Sequence, residues 1–136
     1  MDDLDIRWKQ RFENLRAAFL ILQQAVAANA ETPDNELIRM ALIKAFEMTF
    51  DLSWKTLKDY LHYNGIDATM PREVIKQSFA NDLVADGQLW IEMLEDRNLM
   101  AHVYDEARAL AAVERIRARY LMGLEQLQQF LGARLV

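Results

Sequence analysis

Apolar residues recur every three or four positions along almost the whole chain. This spacing places them on one face of an α-helix, and the first such helix is predicted from about Asp3 to Asn29. The turn ETPDNE follows, where Pro33 ends the helix and Asp34 or Asn35 caps the next one. The apolar stripe of the first helix consists of Trp8, Phe12, Leu15, Phe19, Leu22 and Val26.

The second helix is predicted from about Glu36 to Asn64, because Gly65 then offers a residue suited to the left-handed position after a helix end. A charged stripe on an amphipathic helix is usually solvated, so we predict that its polar face meets water. The apolar face carries Leu42, Phe46, Phe50, Trp54, Leu57 and Leu61. The polar stripe consists of Lys44, Glu47, Asp51, Lys55, Lys58 and His62.

Three further helices complete the pattern. The third begins near Pro71, which suits the first helical position, and Asp86-Gly87 ends it. The fourth runs into the sequence EDRNLMAHVYDE, and the last extends from about Glu106 to Gly132. Their apolar residues are Val74, Ile75 and Phe79, then Leu89, Trp90, Met93 and Leu94, and finally Leu110, Val113, Ile116, Tyr120, Leu124, Leu127 and Leu131.

These elements predict the fold class. No segment of useful length alternates apolar and polar residues with a period of two, so no sheet is expected. Long helices joined by short turns favour an all-α, up-and-down four-helix bundle with an additional short helix. A length of 136 residues is typical of one domain, so we predict a single domain over residues 1–136.

The charge balance of the chain argues against one class of ligand, double-stranded DNA. The chain has 16 basic and 21 acidic residues, and its net charge is −5. Proteins that bind duplex DNA gain much of their affinity by neutralising phosphates, so we expect no surface for double-stranded DNA. A small basic cleft stays open as an alternative, and its candidates are Arg108, Arg115, Arg117 and Arg119.

Cysteine content and hydropathy indicate the compartment. The chain has no cysteine, so disulfides and thiolate chemistry are unavailable. The N-terminus reads MDDLDIRWKQRFENL, which is acidic at once and lacks the apolar core of a signal peptide. The longest apolar run, AAFLIL at residues 17–22, is far shorter than the ~20 residues of a membrane span. We therefore predict a cytoplasmic protein with no membrane association.

Residues 95–106 concentrate the chemically versatile side chains. Asn98 and His102 are four residues apart, so on a helix they share a face. Arg97 and Tyr104 are seven apart and also lie near one face. Arg97 and His102 are five apart, about 140° from each other around an ideal helix. They converge only if the helix ends or kinks there, or if a second subunit supplies the other half.

Two carboxylates follow the histidine. Asp105 and Glu106 lie three and four residues beyond His102. If the helix continues through them, either carboxylate can accept a hydrogen bond from the imidazole and orient it, which makes both supporting candidates. A purely structural interpretation also stays open, in which the charged residues of this segment are caps and surface ion pairs and His102 is half-buried.

The residue types suit cleavage of an RNA phosphodiester without a metal ion. A histidine can abstract the 2′-hydroxyl proton or protonate the leaving oxygen, because its pKa lies near neutrality. An arginine can stabilise the charge that builds on the phosphate oxygens, and an asparagine can donate to the same phosphate. The catalytic candidates are therefore Arg97, Asn98 and His102, with no metal and no cofactor.

The same segment resembles a known motif. RNLMAH at residues 97–102 matches the R-polar-x-x-x-H signature of HEPN domains, and with Tyr104 it is similar to the R-x4-H-x-Y form of HepT-like proteins. FEMTFDLSWKTLKDYL (46–61), PREVIKQSF (71–79) and DGQLWIEMLEDRNLMAHVYDE (86–106) resemble the subfamily of nucleotidyltransferase substrate-binding proteins. The resemblance covers nearly the whole domain. It implies a HEPN-like bundle, a homodimer and a separate minimal nucleotidyltransferase subunit as partner.

The resemblance implies one of two functions. In the favoured one, the chain is a HepT-like toxin of a toxin–antitoxin pair, a metal-independent endoribonuclease. Arg97 and His102 of both subunits would then form the site around RNA in the dimer cleft, and the partner would silence it by attaching AMP to Tyr104. In the alternative, the chain is the non-catalytic substrate-binding subunit of a two-part nucleotidyltransferase. Both functions need the same anion-binding groups, so the sequence does not separate them.

The sequence matches other kinds of functional site less well. A di-metal carboxylate site in a bundle needs Glu-x-x-His on two helices, whereas the chain offers only Asp59-x-x-His62. Glu47 and Asp51 suit an acid–base dyad, but they lie in the stripe predicted to be solvated. No glycine-rich phosphate loop is present, and the chain lacks the Gly-Ser and spaced-aspartate pattern of a nucleotidyltransferase. Core-like spacing predicts core or interface positions, not stacking platforms, for Trp8, Trp54 and Trp90.

Overall fold

The computed structural model describes residues 2–101 and 105–135, and in these ranges every regular element is a helix. The all-α fold class predicted from the sequence is therefore confirmed. In chain order the helices are α1 (Asp3–Glu31), α2 (Glu36–Tyr63), α3 (Pro71–Ala80), α4 (Gly87–Met100), α5 (Glu106–Arg115) and α6 (Leu121–Gly132). A π-helical turn (Ile116–Tyr120) joins α5 to α6, so these three segments form the single last helix that the sequence predicted.

The local signals that predict the helix ends have clear structural counterparts. The side chain of Asn35 caps α2 by accepting a hydrogen bond from the Ile38 N–H at 3.2 Å. After α2, Gly65 adopts a φ of 82°, a conformation that side chains with a Cβ rarely take. Pro71 occupies the first position of α3, as expected. The break before α4 starts earlier than predicted, because α3 ends at Ala80, and Asp86 instead caps α4 through the Leu89 N–H.

The apolar stripes of all the long helices meet in one core. Its aromatic residues stack across helices, as Phe46 of α2 does with Tyr120 of the π turn at a centroid distance of 5.5 Å. Two residues predicted on core stripes are instead exposed: Phe79 to 53% and Leu110 to 47%. The tryptophans behave as predicted, since Trp8 and Trp90 are buried and Trp54 packs against the core while partly exposed.

Across the described part of the chain, no helix combines the length and the apolar character needed to cross a membrane. The described residues of the candidate segment lie at the C-terminal end of α4 and the start of α5, and both helices contact α2.

Candidate functional site

The fourth helix ends inside the candidate segment. Its last residue is Met100, and Asp105 precedes α5 in an extended conformation. A helix that continues from Arg97 to Glu106, on which the supporting roles of the two carboxylates depended, is therefore wrong. The helix end is the condition under which Arg97 and the following histidine can approach each other. His102 and Tyr104 lie outside the described residues, so their roles stay predictions.

Arg97 is held by a carboxylate from another helix. Its Nε and Nη2 donate to the two carboxylate oxygens of Asp51 on α2, both at 2.8 Å. The two side chains are 27% and 30% exposed, so the pair lies at the surface of the bundle. The hydrogen bonds from Arg97 to Asp51, together with the negative charges of Asp51 and Glu47, raise the pKa of Arg97 above its ordinary value. The guanidinium is thus fixed in position and cationic.

The polar stripe of α2 is less exposed than predicted where it faces Arg97. Lys44, Lys55 and His62 are exposed, as expected for a solvated stripe. Glu47, Asp51 and Lys58 are instead partly buried. Because both oxygens of Asp51 accept from Arg97, this carboxylate acts as an arginine partner and not as half of an acid–base dyad with Glu47. The helical period alone could not reveal this contact, since the two partners are 46 residues apart.

The other described candidates have separate local roles. Asn98 is exposed next to Arg97, where its side chain can reach a ligand. Asp105 caps α5, because one of its oxygens accepts from the Arg108 N–H at 3.2 Å. Glu106 is exposed and lies 4.0 Å from the guanidinium of the buried Arg39. Among the described candidates, Arg97 and Asn98 are therefore the two whose side chains carry N–H donors at the end of α4.

A second ion pair occupies the residue before Arg97. Asp96 accepts from Nε and Nη2 of Arg115 at 2.6 and 3.0 Å, and it also accepts from the hydroxyl of Tyr120. Burial, and after it the hydrogen bond to the negative charge of Asp96, raises the pKa of Tyr120 well above its ordinary value. This network ties the end of α4 to α5 and to the π turn. The sequence contains no local sign of this network, although Asp96 stands beside the motif, because its partners are 19 and 24 residues away.

The four clustered arginines do not line one cleft. Arg117 donates to the buried Asn29 of α1, and Arg119 pairs with Glu92 of α4 at 2.7 Å. Only two of the four, Arg108 and Arg115, reach a common groove. The hypothesis of a four-arginine basic cleft is therefore wrong, because the helical turn directs successive arginines to different neighbours.

A groove of about 820 Å³ opens beside the candidate site, between α2, the end of α4 and α5. Its volume falls in the range of small-molecule pockets. The lining is mostly apolar and includes Met40, Ile43, Leu99 and Met100 together with five alanines. Within the ranges 2–101 and 105–135, no three histidine, cysteine or acidic side chains are arranged to hold a metal ion.

Comparisons with known proteins agree with this architecture. Residues 10–133 match the family described as nucleotidyltransferase substrate binding protein like. The chain belongs to this family. A curated relative, the probable ribonuclease HepT of Haemophilus influenzae, is 26% identical over 115 residues, which span 75% of this chain and 79% of the relative.

Solved structures show the same fold. A protein from Thermus thermophilus is 31% identical, with a TM-score of 0.65 over 85% of this chain and 99% of that one. A Haemophilus influenzae protein, described as having the fold of a substrate binding domain of a nucleotidyltransferase, is 23% identical over 87% of this chain and 96% of that one, with a TM-score of 0.75. A tri-AMPylated HEPN toxin of Shewanella oneidensis, solved in complex with its MNT antitoxin, is 15% identical. Its TM-score is 0.75 over 98% of this chain and 99% of that one. The predicted HEPN-like fold is confirmed, and so is the predicted membership in the family of nucleotidyltransferase substrate-binding proteins.

Proposed function

We propose that this chain is the HepT-like subunit of a two-component nucleotidyltransferase system of toxin–antitoxin type, and that it is a metal-independent endoribonuclease acting as a homodimer in the cytoplasm. The observation that carries the proposal is the fixed guanidinium of Arg97. It stands at the end of α4, directly before the segment with His102, and Asn98 is exposed next to it. The probable ribonuclease HepT among its relatives supports the reaction class.

The geometry of Arg97 suits a phosphate. A guanidinium has five N–H donors, and the two hydrogen bonds to Asp51 use two of them. The other three remain for a ligand as far as the described residues are concerned. Because Asp51 fixes the plane of the guanidinium, little entropy is lost when a phosphate binds, and charge on the phosphorus oxygens is stabilised as it develops.

In the proposed reaction, the imidazole of His102 accepts the proton of the RNA 2′-hydroxyl. The 2′-oxygen then attacks the adjacent phosphorus, and the bond to the 5′-oxygen breaks as that oxygen receives a proton. The products are a 2′,3′-cyclic phosphate and a free 5′-hydroxyl. Arg97 and Asn98 bind the non-bridging oxygens in the transition state. Two copies of the chain would place two such sets in the dimer cleft, so one histidine can act as base and the other as acid.

The proposed regulation uses the partner subunit. A minimal nucleotidyltransferase would transfer AMP from ATP to the hydroxyl of Tyr104 and release pyrophosphate. The bulky, charged adenylate two residues from His102 would then block RNA from the site. The support for this step is the AMPylated toxin and its antitoxin complex among the structural neighbours, together with the R-x4-H-x-Y spacing of residues 97–104.

One observation favours a second candidate function. The two described site residues, Arg97 and Asn98, bind anions but do not move protons near neutral pH. A non-catalytic subunit that holds a phosphate-bearing substrate for the nucleotidyltransferase needs these two groups and nothing more. The matching family description names that role.

The deciding experiment measures cleavage of single-stranded RNA by the purified chain in EDTA, with and without the partner and ATP. We expect cleavage that persists in EDTA, that His102→Ala and Arg97→Ala abolish, and that the partner with ATP suppresses. Arg119→Ala serves as the matched control, because it removes an arginine paired with α4 outside the site. Intact RNA with the unmodified wild-type chain would reject the ribonuclease and favour the binding subunit.

Adenylation is tested separately by mass spectrometry. After incubation with partner and ATP, we expect adenylate on Tyr104 and none on the Tyr104→Phe chain. Cleavage by Tyr104→Phe should then resist the partner. Adenylate on another residue, or the same suppression of the Tyr104→Phe chain, would contradict the role of Tyr104.

A further inference from the structure

Two lysines follow Asp51 on the polar stripe of α2 and lead away from Arg97. Lys55 and Lys58 come one and two helical turns after Asp51, so both stand within about 40° of it around the helix. Along the helix axis they lie about 6 and 10 Å further on. Lys55 is exposed, and Lys58 is partly buried, a state in which the apolar stem of a lysine packs while its ammonium stays in water. The guanidinium that Asp51 holds in place is therefore the first of three cations in a row.

The structure shows no carboxylate that neutralises either lysine. Across residues 2–101 and 105–135, none lies within 4.0 Å of the ammonium of Lys55 or Lys58. One turn beyond Lys58, His62 lies 3.7 Å from Asp67, and this carboxylate ends the row of cations. The chain has a net charge of −5, so the row differs in sign from the average surface and attracts an anion locally.

An aromatic side chain lies among these cations. Trp54 directly precedes Lys55 and stands one helical turn before Lys58, and the ammonium of Lys55 is 6.0 Å from the centroid of its indole. Trp54 packs against the core, as predicted, but part of it remains exposed. The other two tryptophans, Trp8 and Trp90, are only 1% and 2% exposed. A partly exposed indole between cations therefore offers an aromatic face beside the row.

We infer that Lys55, Lys58 and Trp54 bind a single-stranded segment of RNA that leaves the phosphate at Arg97 and runs along α2 towards its C-terminal end. The ammonium groups bind backbone phosphates and the indole stacks on a base, the combination by which proteins bind single strands. This role departs from the expectation that no tryptophan is a stacking platform. The inference rests on the proposed function, because it extends the site at Arg97, but it needs only RNA binding and not cleavage.

The charges on the two sides of Asp51 set the direction of the strand. Towards the N-terminal end of α2, Glu47 separates Asp51 from Lys44, so a phosphate there meets a negative charge first. The groove on that side is lined by three cations and three anions, which gives no excess of positive charge. Towards the C-terminal end, the next two charged residues on this face are Lys55 and Lys58. A polyanion held at Arg97 therefore gains more by leaving along the two lysines.

The test of the lysines is the affinity for an oligouridylate of about 12 nucleotides, measured by fluorescence anisotropy at several salt concentrations. The probe carries 2′-O-methyl groups, which remove the attacking hydroxyl, so it is bound but not cleaved. In the double variant Lys55→Gln/Lys58→Gln, the affinity should fall about tenfold or more at low salt, and the salt slope should lessen by about 1.4, roughly 0.7 for each phosphate contact. Lys44→Gln is the matched control, because it removes a lysine of the same stripe on the other side of Asp51, and it should change neither value.

The test of the base contact uses tryptophan fluorescence. A base that stacks on the indole of Trp54 should quench the emission of the wild-type chain, and this quenching should disappear in Trp54→Leu. The affinity of Trp54→Leu for the oligouridylate should fall about fivefold or more, the loss of one stacked base. An abasic strand of the same length should bind both chains equally, which distinguishes lost stacking from a damaged fold. Equal affinity of both chains for the oligouridylate would contradict the role of Trp54.

Failure of this inference differs from failure of the ribonuclease. A double-lysine variant that binds the probe as wild type does, or no more weakly than Lys44→Gln, overturns the inference even if the wild-type chain cleaves RNA. A wild-type chain that binds the probe through Lys55 and Lys58 but leaves unmethylated RNA intact supports the inference and rejects only the ribonuclease. If the lysine substitutions spare RNA affinity but abolish binding of the nucleotidyltransferase, the row binds that protein and the inference is wrong.

Discussion

Two arginine–aspartate pairs meet at consecutive residues of α4 and have nearly the same local geometry. Arg115 donates to Asp96, and Arg97 donates to Asp51, in each case through Nε and Nη2 to the two carboxylate oxygens. The surroundings of the two carboxylates differ. Asp96 is 14% exposed and also accepts from Tyr120, whereas Asp51 is 30% exposed. Among described residues, Arg97 alone donates to Asp51 through its side chain.

The difference lies in the carboxylates and the number of their partners, since both arginines are partly exposed, Arg97 to 27% and Arg115 to 39%. Asp96 connects three segments of the chain, so its loss leaves Arg115 and a buried tyrosine hydroxyl without their acceptor. Loss of Asp51 affects one partner, and that partner lies near water. Under the proposed function, the same bidentate contact stabilises the fold at Asp96 and positions a cation for a ligand at Asp51. Substitutions in the two pairs should separate stability from activity.

The largest expected effect is on activity. Arg97→Ala should lower kcat/KM for RNA cleavage by ~10²- to 10³-fold, because one charge-stabilising donor set is lost in the transition state. Arg97→Lys should not restore it, since an ammonium cannot make the bidentate contact. Arg115→Ala is the control on the neighbouring pair and should leave most activity in the fraction that folds. Equal losses of kcat/KM in Arg97→Ala and Arg115→Ala would show that the two pairs do not differ in function.

Substitutions of the two aspartates should separate activity from stability. Asp51→Asn should lower kcat by about tenfold or more, because the guanidinium of Arg97 is no longer held in its catalytic position. KM should be unchanged or lower, because the Asp51 carboxylate no longer competes with phosphate for the guanidinium. Its unfolding free energy should change little. Asp96→Asn should instead cost about 1–3 kcal/mol, since hydrogen bonds to a charged, largely buried group are weakened. Urea unfolding and steady-state kinetics on both variants measure the contrast, and an Asp51→Asn chain that is equally destabilised would contradict it.

Much of the fold could be predicted from local signals. The helix starts at Asn35 and Pro71, and the glycine at 65, follow from the conformational preferences of single residues. The stripe from Trp8 to Leu22 needs only the helical period. These features depend on neighbours within one or two turns, which the sequence displays directly.

The rest depends on contacts between distant helices. Asp51 is predicted to be solvated from its own helix alone and becomes an arginine partner only when α4 packs against α2. Leu110 continues an apolar stripe but is exposed, because α5 leaves that turn at the surface. The π turn after Arg115 shifts the register of the last helix, and the helical period contains no sign of it.

A smaller effect is expected from removing the hydroxyl of Tyr120, which donates to Asp96. Tyr120→Phe retains the ring that stacks on Phe46 and removes one donor from Asp96, which still has both hydrogen bonds from Arg115. The unfolding free energy should fall by about 1 kcal/mol, less than in Asp96→Asn. RNA cleavage should be nearly unchanged. A loss of activity without a loss of stability would mean that the Asp96 network acts on the site.

The last effect should appear only in alkaline solution. Burial and the carboxylate of Asp96 raise the pKa of Tyr120 in the folded chain above the ordinary tyrosine value of about 10. Below that value both states keep the phenol proton, so this stabilising contribution is fully present. As the pH rises further, the unfolded chain loses the proton while the folded chain keeps it, and the unfolding free energy falls until the folded pKa is passed. Tyr120→Phe lacks this titration, so its stability difference from wild type should be constant from neutral pH to about pH 9 and should shrink above about pH 10. Urea unfolding across this range measures the difference, and a constant gap at all pH values would show that the hydroxyl of Tyr120 is not held against Asp96.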